Sequence, residues 1–272
     1  MIVVATQPSW SRARPATVAS HMSSHLSLSR LSKAYETRDG RVLAIADVTL
    51  HIARGEFASI VGPSGCGKSS LLKIILGLSS YAGEAKIDGK TIAGPQPSAG
   101  MAFQTPALPP WRNVLDNVLL PIDLLGKRRA DYENRARELL TVAGLTDFER
   151  KLPYELSGGM QQRVSICRAL IHNPELLLLD EPFGALDALT REVMQGELLK
   201  IWQETRNTVV FVTHSVDEAV LMSDRVVVLS ARPSTVLEDI TIDLPRPRTP
   251  QLRTLPEFQA YGQRLRRLLG VS

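Results

Sequence analysis

Eight residues constrain this chain more than any others: Gly62-Pro-Ser-Gly-Cys-Gly67-Lys68-Ser69, set between an apolar run and a stretch of helical spacing. Glu56–Val61 before it reads as a strand. Lys68–Leu78 after it places Leu71, Leu72, Ile75 and Leu76 on one helix face. A strand that turns through three glycines straight into a helix curls successive backbone N–H groups around a small volume. Those amides, with the helix dipole behind them, favour an anion.

The surrounding pattern says what kind of sheet carries the turn. Val42–Ile52 alternates apolar and polar residues, as a half-buried antiparallel strand does, and Asp88-Gly89 reads as a hairpin turn. Residues 106–158 differ: Pro106, Pro109 and Pro110 open a loop, then charged helical stretches follow around Val114–Leu120 and Lys127–Ala143. Beyond them helix and strand alternate, with helices over Gly158–His172 and Ala188–Glu204. Strands are expected over Leu176–Leu179, Thr208–Val212 and Arg225–Leu229. Such alternation predicts a mainly parallel sheet covered by helices. The expected fold is therefore α/β, with an N-terminal antiparallel β subdomain and an inserted helical one.

The chemistry-bearing residues fall on this frame. The glycine-rich run fits G-x-x-x-x-G-K-S/T, in which Lys68 reaches nucleotide phosphates and the Ser69 hydroxyl reaches Mg²⁺. Leu176-Leu-Leu-Leu-Asp180-Glu181 puts two carboxylates at the C-terminal end of a parallel strand, where such sheets bind ligands. Asp180 there suits Mg²⁺, and Glu181 suits a water attacking the γ-phosphate. Leu156-Ser157-Gly158-Gly159-Met160 forms a second anion-type helix start, for which a plain Ser157 cap is the bland reading. Two such starts with one lysine suggest that the second serves a nucleotide held by another copy.

Taken together and in order, these motifs and His214 resemble the set found in ATPase subunits of ABC transporters. The resemblance covers about residues 27–235 and implies a phosphate-loop NTPase core, the ABC ATPase fold. Gln104 stands where that family has a glutamine that senses Mg²⁺ and water. Ala185-Leu186-Asp187 is similar to its loop after the paired acids, and Tyr35 to its adenine-stacking aromatic. The resemblance implies ATP and Mg²⁺ as cofactors. Ser69, Asp180 and Gln104 would serve the metal, and Glu181, His214, Lys68 and Gln104 the catalysis. Tyr35, Gly62, Pro63, Ser64, Gly65, Cys66, Gly67, Lys68, Ser69 and Ser70 would hold the nucleotide. Ser157, Gly158, Gly159 and Asp187 would complete the site across a homodimer.

The segment Ala107-Leu-Pro-Pro-Trp-Arg-Asn-Val further resembles importers of nitrate, sulfonates and taurine. That likeness implies membrane permease partners, indirectly a solute-binding protein, and a peripheral place on the cytoplasmic membrane face. Trp111 would line the groove that receives the permease; packing of the helical segment is its alternative role. Cys66 is either an acidified thiol, open to alkylation unless ATP covers it, or a small residue that fits.

Charge leaves one question open. The net charge is +4 over 272 residues, yet residues 1–30 hold three arginines and no acid, and residues 245–272 six arginines against Glu257 alone. Residues 1–25 read as disordered and 236–272 as a basic extension flanking an ATPase domain over 26–235. Pro256–Leu269 has amphipathic spacing, so it either caps the core or meets a membrane surface. The rival function is a soluble ABC ATPase acting on nucleic acid or ribosomes, served by the arginine-rich ends. A single compact cassette favours the transporter, with no nucleic-acid partner.

Overall fold

The computed structural model describes residues 24–38 and 40–271. The chain opens with a long antiparallel pair, β1 (Ser24–Thr37) and β2 (Gly40–Ala53), followed by β3 (Phe57–Val61) and α1 (Lys68–Ile75). A hairpin of β4 (Ala82–Ile87) and β5 (Lys90–Thr91) precedes β6 (Gly100–Ala102). A helical excursion then carries α2 (Val114–Leu124) and α3 (Glu133–Val142). Next come α4 (Gly158–Leu170), β7 (Leu176–Asp180), α5 (Ala188–Thr205), β8 (Thr208–Val212), α6 (Val216–Met222) and β9 (Arg225–Leu229). β10 (Val236–Thr241) and α7 (Pro256–Leu269) close the fold.

Two sheets result. Four antiparallel strands run in the order β2-β1-β4-β5, and six run β10-β9-β3-β8-β7-β6. In the larger sheet β9, β3, β8, β7 and β6 are parallel, and β10 alone is antiparallel. Every residue of β3, β7 and β8 is buried. Alternation explains why these strands are apolar apart from Ser59, Asp180 and Thr208: Phe57, Leu177, Leu179, Val209 and Phe211 face one hydrophobic cluster, with Trp202 of α5. Ala58, Ile60, Leu176, Leu178, Val210 and Val212 face the other, with β1, β2 and α1. A sheet covered on both sides needs no polar positions. The hairpin turn at Asp88 and Gly89 has φ of 48° and 73°, the left-handed pair that a tight two-residue connection demands.

Local chemistry marks the helix starts. Asn113, Ser157, Asp187 and Ser215 cap α2, α4, α5 and α6, each accepting from a backbone N–H in the first turn. Helix α1 differs. Its N-cap is Gly67, with no side-chain cap and no acid in the first turn.

Several boundaries depart from the sequence reading. The irregular stretch expected over 1–25 lies outside the described residues up to 23, and Ser24 and His25 already belong to β1. Tyr35, expected upstream of the first strand, sits within β1. Bulged register with β2 hid that strand, because its apolar positions fall out of strict alternation. At the other end, the boundary expected at 235 falls inside the sheet, since β10 pairs with β9.

The basic C-terminal segment is engaged with the body of the protein. Arg246 pairs with Asp224, Arg253 with Glu192, Arg264 with Glu238 and Arg266 with Asp217. Arg248 is 5% exposed and donates to the carbonyl oxygens of Val220, Ser223, Ile242 and Leu244. Burial draws its pKa down to about 10. Phe258 and Leu265 of α7 are buried in the larger cluster, so the helix caps the core. No helix among the described residues is long and apolar enough to cross a membrane.

Candidate functional site

The turn between β3 and α1 folds as its glycines require. Gly65 and Gly67 have φ of 74° and 110°, where a side chain would be strained. The turn forms the floor of a cleft of about 480 Å³. Of the residues expected there, Tyr35, Ser64, Gly65, Gly67, Lys68, Ser69, Ser70, Gln104 and Glu181 line it together. The Lys68 ammonium is buried and donates to the carbonyls of Gly62 at 2.8 Å and Pro63 at 3.1 Å. Cys66 is 1% exposed and belongs to the cluster behind the turn. It is the small residue that fits, and burial removes it from alkylating reagents.

Two carboxylates stand at the end of β7, and Glu181 of the two lines the cleft. Asp180 ends β7, 5% exposed. Burial pushes its carboxyl above the ordinary aspartate value, and adjacent Glu181 adds to the push. The Ser69 hydroxyl and the charges of Lys68 and Lys73 oppose it. Glu181 follows with φ of 46°, a left-handed conformation that costs a non-glycine residue about 1–3 kcal/mol. Its Oε2 accepts from Gln104 Nε2 at 3.1 Å and lies 3.2 Å from His214 Nδ1. Gln104 follows β6, Glu181 follows β7 and His214 follows β8. Three strand ends of one parallel sheet thus aim polar groups at one point.

Tyr35 stands on the rim. Its hydroxyl donates to Ser70 Oγ at 2.9 Å, and Lys33 Nζ lies 4.8 Å from its ring centre. Thr37, Val42, Ala44 and Arg232 also line the cleft and were not anticipated. The Arg232 guanidinium donates to Gly65 O from Nε and Nη2, at 3.1 and 2.8 Å. No motif could have found it, because 167 residues separate the two partners.

The remaining expected residues lie elsewhere. Ser157, Gly158 and Gly159 begin α4, with Ser157 Oγ accepting from Met160 N at 3.3 Å. The turn Ala185–Leu186 packs against them: a Cβ on Gly159 would come within 3.2 Å of Ala185 O. Asp187 caps α5 and accepts from Thr190 N at 3.0 Å, which holds its carboxyl below the usual value. None of these four residues lines the cleft.

The residues present suit a nucleotide triphosphate with a divalent cation. α1 lacks a cap of its own, so its first amides are left for an anion. A buried carboxylate beside a hydroxyl, Asp180 with Ser69, is the hard oxygen donor set that Mg²⁺ prefers. Fold and cleft together define a phosphate-loop nucleotide-binding protein.

Known proteins narrow the class. A family model described as ABC transporter matches residues 45–184. The taurine import ATP-binding protein TauB of Ruegeria pomeroyi is 41% identical over 251 residues, 91% of this chain and 94% of that one. The aliphatic sulfonates import ATP-binding protein SsuB of Bacillus cereus is 41% identical over 235 residues, 86% and 92% of the two chains. Among solved structures, the dimeric bacterial ABC transporter cassette MJ0796 matches with a TM-score of 0.73 at 36% identity, over 80% of this chain and 99% of that one. Its dimeric post-hydrolysis state bound to ADP and Pi matches with a TM-score of 0.73 at 35% identity. The chain belongs to the ABC transporter ATPase family, and it is an ATP-binding, ATP-hydrolysing subunit.

Proposed function

We propose that this subunit energises import of a small solute of the taurine, sulfonate or nitrate kind, working as one half of a homodimer. Two import subunits for taurine and sulfonates that align along nearly their whole length support the solute class. The observation that carries the catalytic reading is the meeting of Gln104, Glu181 and His214 above the turn that holds Lys68.

In this reading Lys68 and the α1 amides hold the β- and γ-phosphates, and Tyr35 stacks on adenine. Ser69, Asp180 and Gln104 would hold Mg²⁺, which when bound would supply positive charge to the phosphoryl oxygens. Glu181 polarises the attacking water, and His214 holds it against the γ-phosphate. Ser157, Gly158, Gly159 and Asp187 of a second copy complete the cleft. Closing the pair assembles the site, and loss of the γ-phosphate link lets it open. Trp111, 79% exposed, stands free on the helical excursion and suits contact with a membrane permease. The subunit then sits peripherally on the cytoplasmic membrane face, with a solute-binding protein as an indirect partner.

The rival reading, an ATPase acting on nucleic acid or ribosomes, drew on the arginine-rich ends, of which the C-terminal one, with six arginines, is the larger. Five of the six C-terminal arginines are paired or buried within the chain, which takes away the support that end lent it. Glu181→Gln tests the catalytic reading. Turnover should fall at least about a hundredfold, with ATP-dependent dimerisation retained in size-exclusion chromatography. Turnover within a few-fold of the parent would remove Glu181 from the chemistry.

A further inference from the structure

His214 faces Glu181, yet little holds it there. Its side chain is 66% exposed, and among the described residues the polar group it meets is Glu181 itself. The residues on either side of it are anchored to one residue, Thr213 to its carboxylate and Ser215 to its backbone. Thr213 Oγ1 donates to Glu218 Oε2 at 2.6 Å, while the backbone N–H of Glu218 donates to Ser215 Oγ at 3.3 Å. The Ser215 N–H in turn donates to Thr213 Oγ1 at 3.0 Å.

Glu218 is 7% exposed in the first turn of α6. Its other oxygen, Oε1, accepts from Gln195 Nε2 at 3.1 Å. Arg191 Nε lies 4.0 Å from that oxygen and is buried with no hydrogen-bond acceptor. A shift of about 1 Å would close the bond. Arg191 Nη2 meanwhile donates to Leu186 O at 2.9 Å, the residue before Asp187. A line of polar groups therefore runs from the Leu186–Asp187 turn through Arg191 and Glu218 to the turn carrying His214, open only at the 4.0 Å ion-pair gap between Arg191 and Glu218.

We propose that Glu218 is a positioning residue: it fixes the His214 turn through Thr213 and Ser215 and links it, through Arg191, to the Asp187 turn. The inference rests on the reading of Glu181 and His214 given above. Burial pushes the Glu218 carboxyl above its ordinary range, so the group is held at a cost. An apolar side chain would pack there with less penalty. A buried acid between two turns is explained by registration: a carboxylate with fixed donors sets the turns in one arrangement, whereas apolar contact would let them slide.

The test uses the full chain with His214→Ala, Thr213→Val, Thr213→Ser, Glu218→Ala and Glu218→Gln. ATP turnover is measured against ATP concentration, and melting is followed alongside. His214→Ala should be inactive. Thr213→Val and Glu218→Ala should lower kcat about ten- to hundredfold, the range for a misplaced reacting group, with KM for ATP within about twofold. Thr213→Ser, which keeps the hydroxyl, should restore kcat. Glu218→Gln should restore part, because it keeps an acceptor for Thr213 and loses the charge facing Arg191. The Thr213 pair carries the test if Glu218→Ala fails to fold. Parental kcat in Thr213→Val and Glu218→Gln beside an inactive His214→Ala would overturn the proposal. A rise in KM with a fall in melting temperature and no change in kcat would do the same, since it marks a purely structural role. An active His214→Ala would place the fault in the site reading.

Discussion

Two helix starts in this molecule have almost the same chemistry and opposite circumstances. The start of α1 follows a glycine turn, lacks a cap, and lies at the floor of a cleft with Lys68, Asp180 and Glu181 around it. The start of α4 is Gly158-Gly159 itself, is capped by Ser157, and is exposed at Ser157 and Gly158. The first is an anion site that its own chain nearly completes. The second satisfies itself locally and offers the rest of its amides outward, as a surface awaiting a ligand carried by another molecule would.

The largest effect that can break this contrast is expected at α1. Lys68→Ala removes the cation of the floor and should abolish ATP binding by the monomer, more than about a hundredfold in Kd, since charge-assisted bonds to phosphate in a dry site are the strong ones. Equilibrium binding of a fluorescent ATP analogue measures it. An unchanged Kd would mean that the cleft is not the nucleotide site.

Ser157→Ala should act on the pair and not on the monomer. ATP binding by the isolated subunit should stay within about twofold, while turnover falls about tenfold or more as the γ-phosphate loses a donor. Loss of a cap costs about 1 kcal/mol by itself, so melting should drop only slightly. Turnover at the parental rate would make the second start a helix cap and nothing else. Asp187 gives the smallest effect: in the single chain it caps α5, so Asp187→Ala should cost about 1 kcal/mol in urea unfolding and Asp187→Asn nearly nothing. Equal losses would show that the bond to Thr190 is not what Asp187 contributes to the fold.

Much of the site was legible because its chemistry is local. The glycine turn, the acid pair after four leucines and the serine before two glycines each occupy a few consecutive residues. Short-range backbone geometry dictates such sequences. β3, β7, β8 and β9 were legible for a related reason: burial on both faces forces unbroken apolar runs. β6, with only Gly100–Ala102, and α6, with seven residues, were too short to show a period. Tyr35 was read as lying before the first strand because the bulges of β1 break its alternation.

The sequence by itself determined which groups the chain offers for chemistry, since a glycine-rich turn and an adjacent acid pair are written in contiguous residues. Tertiary structure alone decided who meets whom: Arg232 over Gly65, the C-terminal arginines on distant acids, and Gln195 on Glu218. Those contacts depend on how the sheet stacks and twists, which brings together residues with no common local signal. A charge count can say that an end is basic. Only the folded chain shows that five of its six arginines are already engaged.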